Sequence, residues 1–317
     1  NIPIINEVEV AYKFLPSDVT IIGITGSNGK TTTTTITYEL LKTTGRNVFL
    51  GGNIGIPLSS IVKEIKSGDL LVLEISDHQL CDMYDFKTNI SAITNLSEVH
   101  LDFHGSYEEY KRMKKRIFNH HTLHDIAILN KENVDVLKLT QDISSKKIYF
   151  SIKEKTDVYL DHNRIFYFGE EILNIEDIKI KGNHNYENIM VAITIAKQYG
   201  VTNEKIKEFL SEFNGVEHRI EFVRTVRNRK FYNDSKATNN ESTIIALDSF
   251  KEKTVLIMGG LDRNIPFDSI ASHLQNVSGI MAYGETKEKI KDFAIQNHIP
   301  IIITDTLEEA TLMAYQQ

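Results

Sequence analysis

The stretch "IIGITGSNGKTTTTTITYELL", Ile21 to Leu41, decides how the rest of the chain is read. An apolar run leads into a glycine-rich turn, then a lysine, then five threonines opening a helical pattern. The strict phosphate-loop spacing G-x-x-x-x-G-K-[ST] would need glycine at position 24, where Ile24 stands. What remains is a shorter relative, Gly26-Ser27-Asn28-Gly29-Lys30-Thr31. Glycines let backbone N–H groups turn toward an anion, and the helix presents its positive end. Lys30 adds a point charge, and the Thr31 hydroxyl is a hard ligand for Mg²⁺. A bare strand-to-helix turn is the plainer reading, but glycines, lysine, threonine and context coincide, so Ser27, Asn28, Gly29, Lys30, Thr31 and Thr32 are read as nucleotide ligands. Thr33, Thr34 and Thr35 lie deeper in the helix, where β-branched side chains pack.

Outward from the loop, apolar runs at 20–25, 47–50, 70–75, 91–94 and 126–129 alternate with helical patterns at 31–42, 57–65 and 107–118. That alternation predicts an α/β fold with a mostly parallel sheet. The strand "LLVLEIS" ends in Glu74, a carboxylate placed to share Mg²⁺ with Thr31. Short alternating strands follow, with a polar turn at Asp161–Arg164 that predicts a small antiparallel region. After "NGVEHRIEFV" the strand–helix series restarts with a strand at 230–233, so a second, Rossmann-like α/β domain is expected. The expected division is a central ATP-binding domain over 1–215 and a C-terminal domain over 216–317. Thr306 and Glu309 have capping-box spacing for a last helix. "LNKEN" at 129–133 approaches a guanine-specificity motif, but Asn133 replaces its carboxylate.

Bulk properties narrow the classes. A formal net charge of −7 argues against a nucleic-acid partner, which would be held by Lys and Arg on phosphates. The single cysteine, Cys81, excludes an internal disulfide and fits a reducing, cytoplasmic compartment. No apolar run is long enough to span a bilayer as a helix, so no membrane partner is expected.

Seven motifs stand in order: "TGSNGKTT", "GGNIGIP" (51–57), "LEIS", "TNLSEVHLD" (94–102), "GNHNYEN" (182–188), "EHRIE" (217–221) and "YNDSKATN" (232–239). In that order the chain resembles the Mur ligases, nearest their D-glutamate-adding branch because of "YNDSKATN", the following "STIIAL" and the "IMGGLDRN" loop. The resemblance implies ATP-dependent amide formation through an acyl phosphate. The implied substrates are UDP-N-acetylmuramoyl-L-alanine and D-glutamate, and the implied cofactors are ATP and two Mg²⁺. It implies that Lys30 cradles the β- and γ-phosphates, that Thr31 and Glu74 hold one Mg²⁺, and that His100 ligates the second. It also implies that Lys114, four residues after Tyr110, carries a carbamate facing that metal, with Lys115 as the neighbouring alternative. Asn185 and Asn188 would bind adenine, Asp234 the ribose, and Arg219 the transferring phosphoryl, while Lys236 would balance developing charge. Asn53, Ser76, Thr238 and Arg263 would face the substrates. A monomer is expected.

Three departures bear on this. Where the family commonly continues "LEIS" with Ser-Phe-Gln-Leu, this chain has Asp77-His78-Gln79-Leu80. The family's N-terminal UDP-binding domain and the end of its C-terminal domain are missing from the sequence, so a fragment or shortened protein is expected. The alternatives kept open are another amino-acid ligase, similar to folylpolyglutamate synthase, and a non-catalytic ATP-binding regulator.

Overall fold

A computed structural model describes residues 4–99, 101–262 and 264–317, with only the backbone of Asp102. The chain divides into two compact units, the first ending at Val216 and the second beginning at Glu217.

In the first unit, helix α1 (Glu7–Tyr12) precedes β1 (Thr20–Thr25), α2 (Lys30–Lys42), β2 (Val48–Gly52) and α3 (Leu58–Ile61). Then come β3 (Leu70–Glu74), α4 (Asp77–Cys81), β4 (Ile90–Ile93), α5 (Leu101–His104), α6 (Tyr107–Lys115) and β5 (Ile126–Asn130). The unit closes with α7 (Val134–Leu139), β6 (Lys146–Ser151), β7 (Val158–Asp161), β8 (Arg164–Tyr167), β9 (Glu170–Asn174), α8 (Asn183–Gln198) and α9 (Asn203–Glu212). The nine strands form one sheet in the order β2-β3-β1-β4-β5-β6-β7-β8-β9. Pairing is parallel from β2 through β7 and antiparallel from β7 through β9.

Strand side chains alternate between two buried faces, which is why these runs are apolar at nearly every position. Ile22, Ile24, Leu70 and Val72 face Ile36, Leu40 and Ile189 of α2 and α8. Ile21, Leu71 and Leu73 face Val8, Leu58, Leu80 and Tyr110 on the other side. The sheet is thus the middle of three layers. The β7–β8 turn places His162 and Asn163 at φ 47° and 61°, the two-residue geometry that matches strand twist.

Several expectations are corrected. The helix expected over 57–65 is regular only from Leu58 to Ile61. In the second unit, the strand at 230–233 does not join the parallel sheet. It is β11 (Arg229–Asn233), paired antiparallel with β10 (Glu221–Val226) through Arg227 and Asn228 at positive φ. The parallel sheet of that unit holds β12 (Thr254–Gly259), β13 (Val277–Tyr283) and β14 (Ile301–Ile303). Its α-helices are α10 (Asn240–Asp248), α11 (Lys287–Gln296) and α12 (Leu307–Gln316), and a 3₁₀ segment covers Asp268–His273. Thr306 caps α12 through the Glu309 N–H, while Glu309 reaches the N–H of Asp305 rather than of Thr306.

Candidate active site

Strand β1 runs directly into the Gly26–Gly29 turn, and α2 starts at Lys30 with Gly29 as its N-cap and no capping side chain. Two glycines are required. Gly26 has φ +147°, and a Cβ there would stand 2.0 Å from Thr94 Oγ1. Gly29 has φ +81°, and its Cβ would stand 2.1 Å from Asn188 Oδ1. The turn is pinned from two sides. After β4, the Ser27 and Asn28 N–H groups donate to the Asn95 carbonyl and Oδ1, both at 2.9 Å, and Thr94 Oγ1 donates to the Asn28 carbonyl at 2.6 Å. From α8, Asn188 Oδ1 accepts from Thr33 Oγ1 at 3.2 Å. Tyr110 OH lies 2.7 Å from Ser27 Oγ. The Lys30 ammonium bends back over the turn, donating to the Gly26 and Ser27 carbonyls at 2.9 Å each.

Adjacent strands bring the next residues to the same sheet edge. Glu74 ends β3, in register with Ile24 of β1 and Gly52 of β2. Its Oε2 accepts from Thr31 Oγ1 at 2.7 Å and its Oε1 from Asn53 Nδ2 at 2.8 Å, and the residue is buried. Among the described residues no group of three or more His, Cys, Asp and Glu could hold a metal. A hydroxyl beside a carboxylate at a phosphate loop is instead the hard-oxygen pair that suits Mg²⁺ completed by phosphate oxygens. With the glycine cradle, this donor set fits a Mg²⁺-bound nucleoside triphosphate.

Behind the loop lies a buried charge cluster. The Lys114 side chain is fully buried, with Nζ 3.0 Å from Thr25 Oγ1, 3.1 Å from the Gly26 carbonyl and 3.3 Å from Asp77 Oδ1. Burial and then the Lys30 charge bring the Lys114 pKa down to about 7, against the pull of Asp77. Asp77 Oδ2 also contacts His104 Nε2 at 2.7 Å and His78 Nδ1 at 3.2 Å. Lys115 points elsewhere, pairing with Asp142 at 2.6 Å.

The other expected residues are placed as follows. Ser76 caps α4 in a reciprocal capping box with Gln79. Asn185 donates from Nδ2 to the Lys181 carbonyl at 2.9 Å, so of the two asparagines only Asn188 bonds a loop-proximal residue. In the second unit, Asp234 Oδ1 accepts from the Ile220 N–H at 3.0 Å, and burial pushes its carboxyl pKa up. Arg219 Nε is buried without a hydrogen-bond acceptor among the described residues. Lys236 and Thr238 are exposed. His100 and Arg263 lie outside the described residues.

Sequence reasoning missed several participants. Thr94 and Asn95 were inside a quoted motif, yet nothing local signalled that they pin the loop. Glu187, beside Asn188, is partly buried, desolvation pushes its pKa up to about 7, and Asn130 Nδ2 donates to it at 3.2 Å.

Comparison with known proteins follows the same outline. Residues 24–196 match the Mur ligase middle domain. The chain is 41% identical over 317 residues to the UDP-N-acetylmuramoylalanine--D-glutamate ligase of Bacillus cereus (strain G9842), covering 99% of this chain and 70% of that protein. The ligase of the same name from Bacillus pumilus is 39% identical over 319 residues, with the same coverage. Among solved structures, MurF from Acinetobacter baumannii superposes with a TM-score of 0.75 at 19% identity, covering 95% of this chain and 72% of that one. MurF from Thermotoga maritima in complex with ADP gives 0.69 at 21% identity, covering 97% and 82%. With a family model matching more than half of its residues and relatives near 40% identity along its length, the chain belongs to the Mur ligases, ATP-dependent ligases of peptidoglycan precursor synthesis.

Proposed function

We propose that this chain adds D-glutamate to UDP-N-acetylmuramoyl-L-alanine, acting as a cytoplasmic monomer. The observation that carries the reading is the Thr31–Glu74–Asn53 network at the mouth of the glycine cradle, in a chain whose relatives at about 40% identity bear that activity in their names. Lys30 exchanges its two carbonyl partners for the β- and γ-phosphates and concentrates positive charge there. Thr31 and Glu74 hold one Mg²⁺ and His100 helps hold another, and when bound these ions neutralise phosphate charge. The muramoyl-alanine carboxylate attacks the γ-phosphorus, ADP leaves, and the amine of D-glutamate then displaces phosphate from the acyl carbon.

Ser27, Asn28, Gly29 and Thr32 line the phosphates, and Asn185 and Asn188 take the adenine. Asn53, Ser76, Thr238 and Arg263 are assigned to the two acceptors, and Asp234, Arg219 and Lys236 to ribose, phosphoryl charge and developing charge. An anion is also needed near the second metal. The resemblance supplies a carbamate on Lys114, and the Asp77 carboxylate already touches the same amine.

Phosphate release tests the reading. It should require both UDP-N-acetylmuramoyl-L-alanine and D-glutamate, and Lys30→Ala should abolish ATP binding. Unchanged nucleotide affinity in that variant would sink the phosphate-loop assignment.

A further inference from the structure

We infer that Asp77 supplies, as a permanent side chain, the negative charge that the resemblance assigns to a carbamate on Lys114, and that Lys114 serves here as its ammonium counter-ion. The inference rests on the nucleotide and Mg²⁺ reading above.

The argument starts from a departure in sequence. At the position after "LEIS", where the family commonly has serine, this chain has an aspartate. The fold buries that aspartate: Asp77 is 1% exposed and Lys114 is 0% exposed. Charges so placed must be paired, because an isolated one would be neutralised or expelled. They are paired with each other, Nζ to Oδ1 at 3.3 Å. The second carboxylate oxygen is also used, by His104 Nε2 at 2.7 Å, and the His104 side chain is itself 2% exposed. The carboxylate is therefore held at both oxygens.

The location is as telling as the pairing. The same Lys114 amine donates to Thr25 Oγ1, at the end of β1, and to the carbonyl of Gly26, the first residue of the phosphate turn. Tyr110, on the same helix, meets Ser27. An anion at Asp77 thus stands against the underside of the nucleotide site.

A carbamate makes an anion of a lysine by adding CO₂ to the neutral amine with loss of a proton. In a chain with serine beside that lysine, the change creates a charge that the site lacks. Here it would remove the cation that Asp77 is paired with and set a second negative charge against the first in a dry interior. The aspartate therefore makes the modification redundant and opposes it. A purely structural ion pair tying α4 to α6 would share the geometry but would leave the protein's response to CO₂ unchanged, which is the distinction the experiment uses.

Two measurements on the full chain test this. In ¹³C-labelled bicarbonate, the NMR spectrum of the wild-type protein should show no lysine carbamate resonance, with or without Mg²⁺ and ATP, whereas Asp77→Ser should show one. By calorimetry, Mg²⁺-ATP affinity of the wild type should be indifferent to bicarbonate, whereas Asp77→Ser should bind about tenfold more weakly in CO₂-free buffer and recover on adding bicarbonate. A carbamate resonance on wild-type Lys114 overturns the inference, as does an Asp77→Ser variant that binds Mg²⁺-ATP like wild type without CO₂. If that variant does not fold, the wild-type spectrum alone decides. Failure of the wild type to bind Mg²⁺-ATP in any buffer would refute the nucleotide reading itself, and the inference with it.

Discussion

Replacing Gly29 with alanine should uncouple the phosphate turn from helix α8. Gly29 has φ +81° and ψ −8°, left-handed backbone that costs an alanine about 1–2 kcal/mol. The new Cβ would also stand 2.1 Å from Asn188 Oδ1, so that side chain must swing away and give up its bond from Thr33 Oγ1, worth about 1 kcal/mol. The expected cost of Gly29→Ala is therefore about 2–3 kcal/mol, the sum of the two terms. In an Asn188→Ala background the clash and the bond are both already gone, and only the backbone term of about 1–2 kcal/mol remains. The cycle should give a coupling of about 1 kcal/mol. It can be read by urea unfolding followed by far-UV circular dichroism, with hydrogen exchange of β1 peptides assigning the transition to the first unit. Equal costs in the two backgrounds would show that Asn188 does not close on the turn.

Thr31→Val keeps the shape but removes a donor from buried Glu74, costing about 1.5–3 kcal/mol of stability and the Mg²⁺-dependent part of ATP affinity; titrations with and without Mg²⁺ that match wild type would contradict this. Glu187 has a folded pKa of about 7 against 4.5 unfolded, so its folded form holds the extra proton and wild-type stability is lost as pH rises through that window. Glu187→Gln should therefore become progressively more stable than wild type from about pH 4.5 to 7 and then level off; a constant gap in melting temperature would refute the shift. His121, buried among Thr88, Ser91 and Ser145, has its pKa lowered by burial to about 4. The unfolded chain then binds the proton first, so stability should fall as pH drops from 6.5 toward 4; His121→Gln should remove that slope, and an unaltered pH profile would argue against it.

Much of the first unit was legible because its signals are local. The glycine turn, Lys30, the continuous apolar runs of β1 and β3 and the His162–Asn163 turn all declare themselves within a few residues. Glu74 was legible as a strand-end carboxylate, and its partners come from just beyond the two strands beside it, Thr31 from the first turn of α2 after β1 and Asn53 from the residue after β2. What was not legible depended on distant packing. Nothing near Asp77 indicates that Lys114 and His104 will converge on it. Asn185 and Asn188 share a helical spacing, yet α8 aims one at the turn and the other at its own backbone. Strand β11 has an ordinary strand pattern, and only its partner β10 decides that it forms a hairpin rather than extending the parallel sheet.

The contact between Thr33 and Asn188 spans 155 residues of chain. A growing polypeptide exposes the phosphate turn early, but the side chain that closes over it arrives only with the penultimate helix of the unit. Closing so long a loop is slow and is rewarded only when the intervening strands have docked. Competence to grip a nucleotide therefore marks the end of this unit's folding, and partly synthesised chains, although they already carry the entire motif, should not sequester ATP.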